Sequence, residues 1–198
     1  MREMEDSTGR HSVAGALLDE RSAPSLRKRF GDLAARSRSL AVAIRRVRLL
    51  GVDLSADELR RIRTLRVLLG ELDARTFVAE AEAVMIDKAR REVGERLLWL
   101  LQTGVLSVRI APLITWAPDF SVFGDDSGPT HAIYGCHWFQ RPPPSPGPAF
   151  AVVCDGTGAS LGARRFEELW RMGYDATPAV EGMLLAAGRQ LGNPVPGD

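Results

Sequence analysis

Two β-like runs, each closed by a glycine and separated by a capped helical turn, constrain this chain more than any other feature. Leu40-Ala-Val-Ala-Ile-Arg-Arg-Val-Arg-Leu-Leu50 is rich in strand formers and stops at Gly51, and Thr64-Leu-Arg-Val-Leu-Leu-Gly70 repeats the pattern. Between them Ser55 stands three residues before Glu58. At that spacing the two side chains satisfy the orphan amides of a helix start, so a short helix to about Arg63 is predicted. Strand, helix, strand over 40–70 is the order of an α/β domain.

The rest of the chain extends that order. A short helix is predicted over Arg29 to Ser37. From Asp73 to Thr103, Phe77, Ala81, Val84, Val93, Leu97, Leu100 and Leu101 are spaced for one buried helical face, with Gly104 as a stop and Gly94 as the point where the helix divides. Four β-like runs follow, Leu106 to Ala111, Phe120 to Phe123, His131 to Tyr134 and Phe150 to Cys154, separated by Gly, Asp and Pro clusters. The proline-rich stretch Arg141 to Pro148 suits neither sheet nor helix and is expected on the surface. Helices around Ala163 to Trp170 and over 178–191 close the chain. Residues 1–24, poor in large apolar side chains, read as a disordered tail, 25–176 as one domain, and 177–198 as a C-terminal helix and tail.

Composition narrows the function classes. With 198 residues, 45% apolar and 26% charged, the chain can bury the core of one domain. A formal charge of +1 gives no global field for nucleic acid or an anionic membrane, so any polyanion site must be local. Two cysteines, Cys136 and Cys154, and no charged-then-apolar leader argue against a disulfide-stapled secreted protein, and no apolar run spans a bilayer. A cytoplasmic protein without a membrane partner is expected.

Seven segments, forming four features, are similar to the phospholipase D-like superfamily, especially its small bacterial nuclease-like members. Leu33 to Ile44 and Thr64 to Gly70 resemble its opening helix and first two strands. Trp99-Leu-Leu-Gln-Thr-Gly-Val-Leu-Ser-Val-Arg-Ile110 resembles the helix, glycine and strand leading to the active site. Ala117-Pro-Asp-Phe-Ser-Val-Phe-Gly-Asp125 falls where the family has its His-x-Lys strand, and Ala132-Ile-Tyr-Gly-Cys-His-Trp-Phe139 where it has a Gly-Ser-x-Asn-Phe turn. Phe150-Ala-Val-Val-Cys-Asp155 and Arg165-Phe-Glu-Glu-Leu-Trp170 resemble its closing strand and helix. The resemblance covers about residues 30–172 and implies a mixed sheet flanked by helices in a single α/β domain.

It also implies where chemistry ought to sit. In the family a histidine attacks phosphorus, while a lysine two residues later and an asparagine of the glycine turn hold the phosphoryl oxygens. Here those positions are Ala117 (Trp116 if the alignment slips by one), Asp119 and Trp138. A methyl group is no nucleophile, and a carboxylate repels an anionic substrate. The implied reading is a degenerate site with no catalytic residue, on a scaffold serving as a binding or regulatory interaction module. The alternative is a phosphodiesterase or nuclease with a relocated centre on His137 and His131; the bland reading of His137 is a half-buried histidine with a backbone partner.

Further residues point to contacts rather than chemistry. Arg46 and Arg48 close the first strand, where arginine grips phosphate or carboxylate; Arg60, Arg61, Arg63 and Arg66 read as a solvated face paired with Asp57, Glu58 and Glu71. Trp116, His137 and Phe139 join Arg46 and Arg48 as candidate ligand or partner contacts. His131, Cys136, His137 and Cys154 lack metal-ligand spacing, so neither metal nor cofactor is expected. The expected partner is a second copy, joined through 131–139, because Trp116, Tyr134, Trp138 and Phe139 would leave a monomer with exposed aromatic surface. A protein or small anion is compatible with the same cleft; nucleic acid lacks support from the net charge.

Overall fold

A computed structural model describes residues 16–18, 23–47, 49, 55–112, 119–135 and 151–190. The strand–helix–strand unit forms as the sequence predicts. Ser39–Arg46 (β2) and Thr64–Glu71 (β3) pair in parallel, with Ser39 opposite Thr64, and Ala56–Leu59 (α2) lies between them. Ser55 Oγ accepts the Glu58 N–H while Glu58 accepts the Ser55 N–H, so the capping box is complete. Leu106–Ile110 (β4) adds in parallel to β3.

Beyond this parallel core the sheet runs antiparallel. Phe120–Asp125 (β5), Gly128–Tyr134 (β6) and Ala151–Asp155 (β7) meander outward from β2. Ala16–Leu18 (β1) pairs with β7 at one edge, and Tyr174–Asp175 (β8) with β4 at the other. The order is β1-β7-β6-β5-β2-β3-β4-β8. The fold is a single α/β domain, a mixed sheet flanked by helices.

Alternation along β2 divides the interior. Leu40, Val42 and Ile44 point to one face, where they meet Phe30 of Ala23–Arg36 (α1), Phe77 of Ala74–Ile86 (α3), Leu97 of Lys88–Gln102 (α4) and Leu184 of Thr177–Gln190 (α6). Ala41 and Ala43 point to the other, under Ala159, Phe166 and Leu169 of Gly156–Met172 (α5). With both faces covered, the strand reads as a continuous apolar run rather than an alternating one. Each fully buried phenylalanine, Phe30, Phe123 and Phe166, contributes about 1.5–3 kcal/mol by leaving water.

Three expectations need correcting. The stretch read as a tail supplies β1 and the start of α1. That helix begins at Ala23, because Pro24 sits in the first turn, where its missing N–H breaks no helical bond. The division between α3 and α4 falls at Asp87, not Gly94. Asp87 is extended (φ −70°, ψ 110°), and its carbonyl accepts the Arg90 and Arg91 amides that open α4. Gly94 permits close packing instead: a Cβ there would lie 3.0 Å from Val84 Cγ1 and 3.1 Å from Met85 Cε. The proline-rich stretch 141–148 lies outside the described residues.

Candidate functional site

In open α/β sheets ligands collect at the rim beyond the carboxyl ends of the parallel strands. β2 ends there in Arg45 and Arg46, β3 in Glu71, and the antiparallel β5 enters from Asp119. Asp119 is buried, 7% exposed, and its Oδ1 accepts the Arg45 backbone N–H at 2.9 Å. Its own carbonyl accepts the Gly135 N–H at 2.8 Å, tying the end of β6 to the same corner. Asp119 therefore links β2, β5 and β6 at the position the sequence resemblance gives to a lysine.

Arg46 is exposed at the strand end and forms an ion pair with Glu71, its register partner on β3. Trp116, Ala117, Arg48, Cys136, His137, Trp138 and Phe139 lie outside the described residues.

His131 lies elsewhere. It pairs with Phe123, three residues along β6 from the Tyr134–Phe120 pair beside Asp119, about 10 Å at strand rise. Half-buried on the α1 side of the sheet, it has its pKa lowered from 6.5 by burial and by the Arg29 and Arg36 guanidiniums, against a smaller opposing pull from Asp155. Cys154 pairs with Ala132 and so shares the α5 side, the face opposite His131. Burial, then the charge of Asp155, raises its thiol pKa. Among the described residues no group of three or more His, Cys, Asp or Glu could hold a metal ion.

Tyr134, expected to contribute exposed aromatic surface, is instead half-buried beneath α5. It stacks on Phe120 at 5.7 Å, and its hydroxyl donates to the Gly158 carbonyl at 3.0 Å.

No protein-family model matches the chain, and no curated protein matches it significantly. Among solved structures it is similar to TrmBL2, an archaeal chromatin protein described as showing a novel mode of DNA binding. That likeness has TM-score 0.48 and 10% identity, over 87% of this chain and 57% of TrmBL2. It is similar, too, to Nuc, a phospholipase D family member from Salmonella typhimurium, with TM-score 0.48 and 11% identity over 82% of this chain and 97% of Nuc. No helix among the described residues is long and apolar enough to cross a membrane.

Two arginine arrangements escaped the sequence reading. Arg66, assigned there to a solvated face, leaves β3 toward α5, where it pairs with Glu167 at 2.5 Å and lies 5.0 Å over the Phe166 ring and 5.5 Å over Trp170. Arg109 approaches Trp170 at 5.0 Å and donates to its carbonyl at 2.9 Å. Two guanidiniums thus anchor the end of α5. The second arrangement lies at the opposite rim, where Arg36, Arg38, Arg60, Arg61 and Arg63 line one recess. The signal for it was the parallel pairing itself, which sets the α1–β2 and α2–β3 turns side by side.

Proposed function

We propose that the chain is a non-catalytic binding and interaction module on a phospholipase D-like scaffold, acting as a homodimer. The observation that carries this reading is Asp119. Where the resemblance calls for an exposed cation to hold phosphoryl oxygen, the chain has a buried carboxylate bonded to the Arg45 amide. A carboxylate beside a phosphodiester raises the barrier to its cleavage, because negative charge grows on the phosphoryl oxygens during attack. The side chain at this position ties β5 to the end of β2.

The test is hydrolysis of a chromogenic phosphodiester by the full chain. The module should release no more product than a mock purification. Turnover above that background, lost on His137→Ala, would overturn the reading in favour of a relocated histidine centre.

A further inference from the structure

We infer that the rim opposite Asp119 binds the phosphate backbone of duplex nucleic acid through Arg36, Arg38, Arg60, Arg61 and Arg63. These five line an open recess of about 410 Å³, and all five are exposed. The backbone builds it. Arg36 ends α1 and Arg38 precedes β2, while Arg60 and Arg61 follow α2 and Arg63 precedes β3. The Arg63 N–H donates to the Arg38 carbonyl at 2.7 Å, holding the two turns together.

Charge is left over in this recess. Arg38 pairs with Asp126 at 2.7 Å and Arg60 with Asp57 at 2.9 Å, both between exposed side chains. Glu58, the other acid on α2, is taken by Arg27 through two hydrogen bonds of 2.6 and 2.8 Å. Arg36, Arg61 and Arg63 have no carboxylate partner among the described residues. Among the described residues, three guanidiniums without a carboxylate partner thus stand together, on a chain whose whole formal charge is +1.

The form of the recess selects the ligand. A small anion held by exposed arginines in open water gains little from each, whereas a polyanion engages several at once and releases its condensed counterions. Duplex DNA carries a charge about every 1.7 Å of axis, dense enough to meet several guanidiniums in one recess. Among the described residues no aromatic lines it, so these residues offer no platform for stacking unpaired bases. Contact with phosphates alone positions a duplex without reading its sequence. This inference does not depend on whether the Asp119 rim is catalytic.

The test is fluorescence anisotropy of a labelled 20-base-pair DNA with the full chain, across a salt series. The logarithm of affinity should fall with the logarithm of salt at a slope between about −2.7 and −4.5, the values for three to five neutralised phosphates. Arg36→Glu, Arg61→Glu and Arg63→Glu together should weaken binding at least tenfold at low salt. The same charge change on remote helices, Arg164→Glu, Arg165→Glu and Arg189→Glu, should weaken it less than threefold. Should the triple variant fail to fold, as judged by circular dichroism, Arg61→Glu alone carries the comparison. Arg36→Lys, Arg61→Lys and Arg63→Lys should retain most affinity, because backbone contact needs charge more than a fork. Absence of duplex binding, equal loss in both glutamate sets, equal competition by polyglutamate, or binding confined to anionic lipid vesicles each overturns the proposal.

Discussion

A carboxylate inside a sheet corner must earn its place through hydrogen bonds, since a buried charge left unbonded is strongly disfavoured. Asp119 does so by accepting the Arg45 amide, just beyond the last register pair between β2 and β5, Ala43 with Phe120. Asp119→Ala is therefore expected to lower stability by about 0.5–1.5 kcal/mol in urea denaturation, the usual net worth of such a part-buried hydrogen bond. Asp119→Asn, which keeps an acceptor at Oδ1, should cost less. Equal stability of all three proteins would show that this hydrogen bond contributes nothing. The residue was visible in the sequence as a charge reversal, but its bond was not. Arg45 and Asp119 are 74 positions apart, and no local pattern reports a contact between a backbone amide and a distant side chain.

At the scale of elements, the seat of α5 is set by small residues. Gly158, Ala159 and Gly162 are buried against a sheet face lined by Ala41, Ala43 and Ala132. A Cβ at Gly162 would lie 2.6 Å from the Tyr134 hydroxyl oxygen and 3.2 Å from Val122 Cγ2. Gly162→Ala should cost about 1–3 kcal/mol by overpacking. In a Tyr134→Phe background, where the obstructing oxygen is gone, the same change should cost measurably less in thermal unfolding. Identical costs in both backgrounds would place the strain elsewhere. Strands β2 to β7 were legible from their runs and glycine stops, and the α2 start from its capping box, because those signals are local. The α3–α4 break was not: a glycine inside a helix can serve either as a break or as a point of close approach, and here Val84 and Met85 decide for the second.

Parallel strands bring sequence-distant turns together, so the whole molecule has two rims with different chemistry. At one, β2 and β3 end beside a buried carboxylate; at the other, five arginines from two turns share one recess. Neither turn looks unusual alone, and the near-zero net charge hides the cluster, which explains why composition gave no support for a polyanion partner. The topology also restricts how two copies can meet. β6 is hydrogen-bonded on both sides, to β5 and β7, so residues 131–134 cannot pair edge to edge with a second sheet. Tyr134, packed under α5, is likewise removed from the surface proposed for the dimer. Light scattering at micromolar concentration should give twice the 21.6 kDa of one chain, with Phe139→Arg moving the mass toward the monomer. A wild-type mass of 21.6 kDa would remove self-association from the proposed function.

The central claim, that the scaffold binds without cleaving, is tested most directly with supercoiled plasmid and the full chain. Over hours of incubation the plasmid should stay supercoiled on an agarose gel, as it does with a mock purification. Nicked or linear plasmid, produced by the wild-type chain and absent with His137→Ala, would contradict the claim.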